Sequence, residues 1–80
     1  MTNREKLIAL FTEIFLLGPR EFSMDLRKSE VDTWDSLGVV SLAVGIQETF
    51  GYHLSQDEAL SITSVRDIVR ILDSHGVAIE

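Results

Sequence analysis

Eighty residues bound the chain to a single domain, residues 1–80, with one small core and little room for a deep substrate cleft. A formal net charge of −6 argues against a nucleic-acid partner, because phosphate-backbone binders carry basic patches, and points to a basic protein surface instead. Without cysteine there is no disulfide framework or thiolate nucleophile, two isolated histidines make no metal site, and no apolar run approaches the roughly 18 residues of a membrane span, so a soluble, cytoplasmic protein is expected.

Thr2-Asn3-Arg4-Glu5 has the form of a capping box, and Leu7, Leu10, Phe11, Ile14 and Leu17 follow at helical spacing. Gly18-Pro19 is expected to end this first helix, the glycine taking the left-handed cap. From Gly18 to Thr33 the periodicity is lost, although Phe22, Met24, Leu26 and Val31 supply anchors. A long ordered loop of this kind in a compact domain suggests function. The second helix is expected from about Ser36 to Phe50, with Asp35 as N-cap and Gly51 as its close. Ser55-Gln56-Asp57-Glu58 opens a very short third helix that includes Ala59 and Leu60. Ser64 caps a fourth, whose Val65, Ile68, Val69 and Leu72 form a stripe ending at Ser74-His75-Gly76. The fold class is therefore all-α: a small four-helix bundle with a short third helix and a long loop between the first two.

The second helix carries two apolar faces. Val39, Leu42, Ala43, Ile46 and Phe50 fall on one arc and form the core stripe. Leu37, Val40 and Val44 lie on another, with Ser41 and Glu48. That second face either packs against the loop or another helix, or is a docking surface rimmed by polar groups. Both hold if the loop partly buries Leu37 and leaves Val40 or Val44 free. Trp34 likewise has two readings, as a core residue or as a hot spot beside the site.

Asp35-Ser36-Leu37 places one hydroxyl where a loop meets a helix. His53 and His75 are distant along the chain, so no base is assigned to make Ser36 a nucleophile. A serine that is merely modified needs only exposure, and a first helical turn offers free N–H groups and a positive dipole end that suit a phosphodiester.

From the capped first helix through Asp35-Ser36-Leu37 to Phe50-Gly51 and Ser64-Val65-Arg66-Asp67, the chain resembles the acyl carrier protein family, including peptidyl and aryl carrier domains. The resemblance implies the acyl-carrier-type bundle, and a carrier instead of an enzyme. It also implies a covalent 4′-phosphopantetheine on Ser36, installed from coenzyme A by a phosphopantetheinyl transferase. The arm's thiol would carry acyl or aminoacyl groups as thioesters between the enzymes of a lipid, polyketide or peptide-like pathway. Asp35 would contact Mg²⁺ in the transferase complex, a role suited to carboxylate oxygens, and the protein itself would hold no metal. Loading, condensing or acyl-transfer enzymes would be its partners, met through Leu37, Val40, Ser41, Val44 and Trp34. In such carriers the bundle can also shelter part of an acyl chain.

The chain departs from the carriers of primary fatty acid synthesis, which usually place several carboxylates on the second helix. Between Ser36 and Phe50 it has only Glu48, with Gly38, Ser41 and Gln47 at positions that are typically acidic. The negative charge lies instead in the loop, from Glu21 to Asp35, and in the last third, from Asp57 to Glu80. A specialised carrier recognised more by its apolar face than by charge is expected. Met1 and the end soon after helix four favour a free-standing protein; a monomer is expected because the one candidate patch already has a use, and no membrane insertion because no apolar run is long enough. His53 and His75 are expected to be solvated, the latter complementing the negative end of helix four. Arg20, Arg27 and Lys28 are expected to pair with loop carboxylates. The alternative function is an unmodified helical interaction module that has kept the fold.

Overall fold

The computed structural model describes residues 2–18 and 20–79. Among these, four helices account for the regular structure: α1 (Asn3–Phe15), α2 (Ser36–Phe50), α3 (Gln56–Ser61) and α4 (Val65–Ser74). No strand appears among the described residues, only a single antiparallel bridge between Arg27 and Ser64.

Helix starts follow the caps. Thr2 Oγ1 accepts the Glu5 N–H at 3.1 Å and Glu5 Oε1 accepts the Thr2 N–H at 3.0 Å, closing the first capping box. Ser55 and Glu58 repeat this at α3, and the Ser64 side chain accepts from the Asp67 N–H at α4. Gly51 closes α2 at φ 75°, its N–H donating to the Gln47 carbonyl. The end of α1 differs from expectation. Leu16, not Gly18, takes the left-handed cap at φ 55°, and the helix stops at Phe15. A left-handed leucine costs about 1–2 kcal/mol, and here the Leu16 and Leu17 N–H groups both return to the Thr12 carbonyl. Gly18 instead donates its N–H to Glu21 Oε1 at 2.8 Å. Pro19, the other expected stop, lies outside the described residues, as do Met1 and Glu80.

The core joins one face of each long helix. Leu7 and Phe11 of α1, Leu42 and Ile46 of α2, and Ile68 and Leu72 of α4 are almost completely buried. Each such side chain contributes about 1.5–3 kcal/mol relative to exposure. Phe15, outside the expected α1 stripe, is buried with them, whereas Leu10, Ile14 and Leu17 are half-buried.

The long loop is fixed by its main chain. Around the Arg27–Ser64 bridge, the Lys28 N–H donates to the Thr63 carbonyl at 2.8 Å and the Val65 N–H to the Leu26 carbonyl at 3.0 Å. A 3-10 turn, Lys28–Glu30, follows, with Glu30 Oε1 accepting the Arg27 N–H. The expected pairing of loop cations with loop carboxylates does not occur: among the described residues Asp25 pairs with Arg66 of α4, and no ion pair engages Arg20, Arg27 or Lys28.

Candidate functional site

Ser36 is the first residue of α2 and is exposed. Asp35 holds it there as N-cap, Oδ1 accepting the Gly38 N–H at 2.9 Å. The N–H groups of Ser36 and Leu37 have no acceptor within the helix, as at any helix start, and form the positive end of its dipole. Behind the serine the chain is pinned to the core. Thr33 Oγ1 donates to the Phe15 carbonyl at 3.0 Å, and Trp34 stacks on Phe15 with ring centroids 5.2 Å apart.

Gly38 owes its place to crowding. A Cβ added there would lie 2.6 Å from the Thr33 carbonyl oxygen and 2.8 Å from the Phe15 ring. The first turn of α2 therefore lies directly on the loop and on α1, and only glycine fits. Sequence reading treats Gly38 as a departure from an acidic pattern and misses this; an unforced glycine in a helix interior was the available signal.

The second face of α2 is free. Leu37, Val40 and Val44 are 78%, 61% and 51% exposed, and Ser41 beside them is also exposed. The loop does not cover Leu37, the most exposed of the three. Trp34 is only 3% exposed and set edge-on to Phe11 at 5.4 Å, which favours the core over the docking reading of this residue.

From Ser36 an apolar groove of about 480 Å³ runs between α2 and α3, with Val39, Val40, Ala43, Val44 and Leu60 along it. Leu60, 65% exposed, extends the apolar surface onto α3. Lys28 and His53 also line the groove. Sequence analysis gives Lys28 no such place, because the bridge that brings the loop alongside α2 and α4 joins residues distant in sequence.

Neither histidine hydrogen-bonds to Ser36. His53 Nδ1 meets Gln47 Oε1 at 2.9 Å. His75 turns away from the end of α4 to stack on Tyr52 at 4.3 Å, with Nε2 3.0 Å from the phenol oxygen. The same phenol donates to Glu58 Oε1 at 2.7 Å, and His75 lies 3.8 Å from that carboxylate. Glu58 is thereby held below the usual carboxylate range, first by the Tyr52 hydrogen bond and then by the Ser55 N–H. The described residues contain no cluster able to hold a metal ion. An exposed hydroxyl at a fixed helix start beside an apolar groove is suited to being modified.

Comparison with known proteins points the same way. Residues 5–72 match the family model described as a phosphopantetheine attachment site. An acyl carrier protein of Rickettsia bellii is 36% identical over 55 residues, covering 69% of this chain and 68% of its own length. An acyl carrier protein of Coprothermobacter proteolyticus is 37% identical over 41 residues, and the match spans 51% of this chain and 50% of that relative. A match over most of the chain, with a helical fold and a serine presented at the start of α2, leads to one conclusion: the chain belongs to the acyl carrier protein family.

Proposed function

We propose that Ser36 is the attachment residue for the family's covalent 4′-phosphopantetheine, and that the chain works as a carrier of thioester-bound acyl or aminoacyl groups. The observation that carries this reading is the exposed Ser36 at the capped start of α2, with unpaired N–H groups beside it and the apolar groove leading away. These residues fit the group. The helix start accommodates a phosphodiester, and the groove is wide and apolar enough for the arm or its cargo. When bound, the arm supplies a thiol on which acyl groups are held as thioesters. The chain would contribute the Ser36 oxygen, whose bond to phosphorus forms as the pyrophosphate bond of coenzyme A breaks, adenosine 3′,5′-bisphosphate leaves and the hydroxyl proton passes to the transferase.

Acyl carrier proteins are carriers and not enzymes, and they meet a phosphopantetheinyl transferase and acyl-handling enzymes. On our reading the transferase reaches Ser36 beside Asp35, whose Oδ1 caps the helix through Gly38 and whose second carboxylate oxygen would contact Mg²⁺ in the transferase complex. Leu37, Val40, Ser41 and Val44 form the docking face, and the partners are the loading, condensing or acyl-transfer enzymes of a specialised pathway. The near absence of charge on α2 supports recognition by that face. An unmodified interaction module, the alternative, is not favoured by a match to an attachment-site family.

Intact mass before and after incubation with coenzyme A, Mg²⁺ and a broad-specificity transferase tests the assignment. Wild type should gain about one phosphopantetheine, roughly 340 Da, and Ser36→Ala should gain nothing while remaining folded. A folded, initially unmodified wild type that gains no mass with several transferases would move the reading to the interaction module.

A further inference from the structure

The phosphodiester expected on Ser36 would sit next to Asp35 in a chain of net charge −6, on a helix whose first turn carries no basic side chain. Some cation must offset it, or the arm's charge is compensated by solvent alone. Lys28 is the one lysine or arginine that lines the groove starting at Ser36. It also borders the adjoining cavity formed with Arg27, Ser29, Trp34, Thr63 and Ser64, and so stands between the two hollows. Its backbone is held by the 2.8 Å bond to the Thr63 carbonyl, which fixes the point from which the side chain enters the groove lining. The side chain is half-buried, and among the described residues no carboxylate pairs with it. A half-buried lysine with no carboxylate partner among the described residues, in the groove that Ser36 opens, offers an anion arriving at Ser36 a cationic partner.

We propose that Lys28 is a positioning residue for the arm, its ammonium pairing with the phosphodiester on Ser36 and setting the direction in which the arm leaves along the groove between α2 and α3. This inference rests on the assignment of Ser36 as the attachment residue.

The chain supplies its own control, since Lys6 is the only other lysine and lies about 13 Å along α1 from Phe15 by helical rise. Apo and arm-bearing protein are treated with a limiting amine-acetylating reagent, and acetylation at each lysine is read by peptide mass spectrometry. Lys28 should react about threefold more slowly once the arm is attached, with Lys6 unchanged. The difference should vanish near 1 M salt, where screening acts over about 3 Å. Equal Lys28 rates in the two forms would overturn the proposal. So would slowing that persists in high salt, since the arm would then merely cover the side chain. In the same preparations, the phosphorus resonance of arm-bearing Lys28→Met should be displaced from wild type, and that of Lys6→Met should not. A wild-type resonance in Lys28→Met counts against the pairing. Failure to gain the arm's mass removes the Ser36 assignment and this inference together, whereas a mass gain without Lys28 protection removes this inference alone.

Discussion

The Trp34 indole N–H is buried with no hydrogen-bond partner among the described residues. Leaving a buried donor unpaired costs about 1–3 kcal/mol, so the ring's packing on Phe11 and Phe15 outweighs that penalty. The two terms separate under substitution. Trp34→Phe keeps an aromatic ring in the cluster and removes the unpaired donor, so its net loss should stay below about 1.5 kcal/mol; Trp34→Ala empties the site and should cost about 3–5 kcal/mol. Urea unfolding measures both, and the rate of arm attachment to Trp34→Phe should match wild type. A slowed attachment at full stability would return Trp34 to the docking surface. The sequence leaves this residue undecided because a large aromatic beside a site reads equally as core or as contact. What decides it is Phe15, whose burial depends on where α1 ends. That end is set by a left-handed leucine, a conformation no local signal favours.

Among the elements, α3 is the least anchored: it has six residues, and none is fully buried. Glu58 is its main fastening, accepting from the Ser55 N–H at one side and from the Tyr52 phenol at the other. A carboxyl held below its ordinary value of 4.5 stabilises the fold above that value, and the contribution is lost as pH falls through the lowered folded value. Asp67 at the start of α4 behaves alike, lowered chiefly by the Thr63 N–H. Acidification should therefore loosen the start of α3 once pH falls below about 4.5, and the start of α4 only below about 3.8, the ordinary values of the two carboxyls. Tyr52→Phe removes the largest cause of the Glu58 shift. It should be less stable than wild type at neutral pH, with the gap narrowing toward about pH 3, as followed by urea unfolding at several pH values. A gap constant across that range would mean that the hydrogen bond does not act through the carboxylate's charge. The capping box at Ser55 and Glu58 is legible in the sequence, being a three-residue pattern. The Tyr52–Glu58–His75 cluster is not, because His75 reaches Tyr52 only after α4 has packed.

Over the whole molecule, the negative charge surrounds an α2 surface that is itself almost uncharged, and the apolar groups there stand free of the loop. Charge mainly steers encounter, while apolar contact sets how long a complex lasts. Binding to a cognate enzyme should therefore weaken by no more than about threefold between low and high salt, as measured by titration calorimetry. A loss greater than about tenfold would mean that the loop and α4 carboxylates carry recognition. The helix order, all four N-terminal caps and the Ser36 position at the head of α2 can be read from the chain, because each depends on residues within one or two turns. The course of the long loop cannot, because the bridge from Arg27 to Ser64 joins residues far apart in sequence.

That bridge and its neighbouring bonds run from main chain to main chain, at Leu26, Lys28, Thr63 and Val65. The segment's position is thus independent of most of the side chains it displays. A gene encoding this fold can exchange the chemistry presented beside the serine, substituting a charge, a hydroxyl or a hydrocarbon at residues 27–29, while the route of the loop stays the same. The loop is a socket with replaceable fittings, held by its main chain whatever side chains stand at residues 27–29.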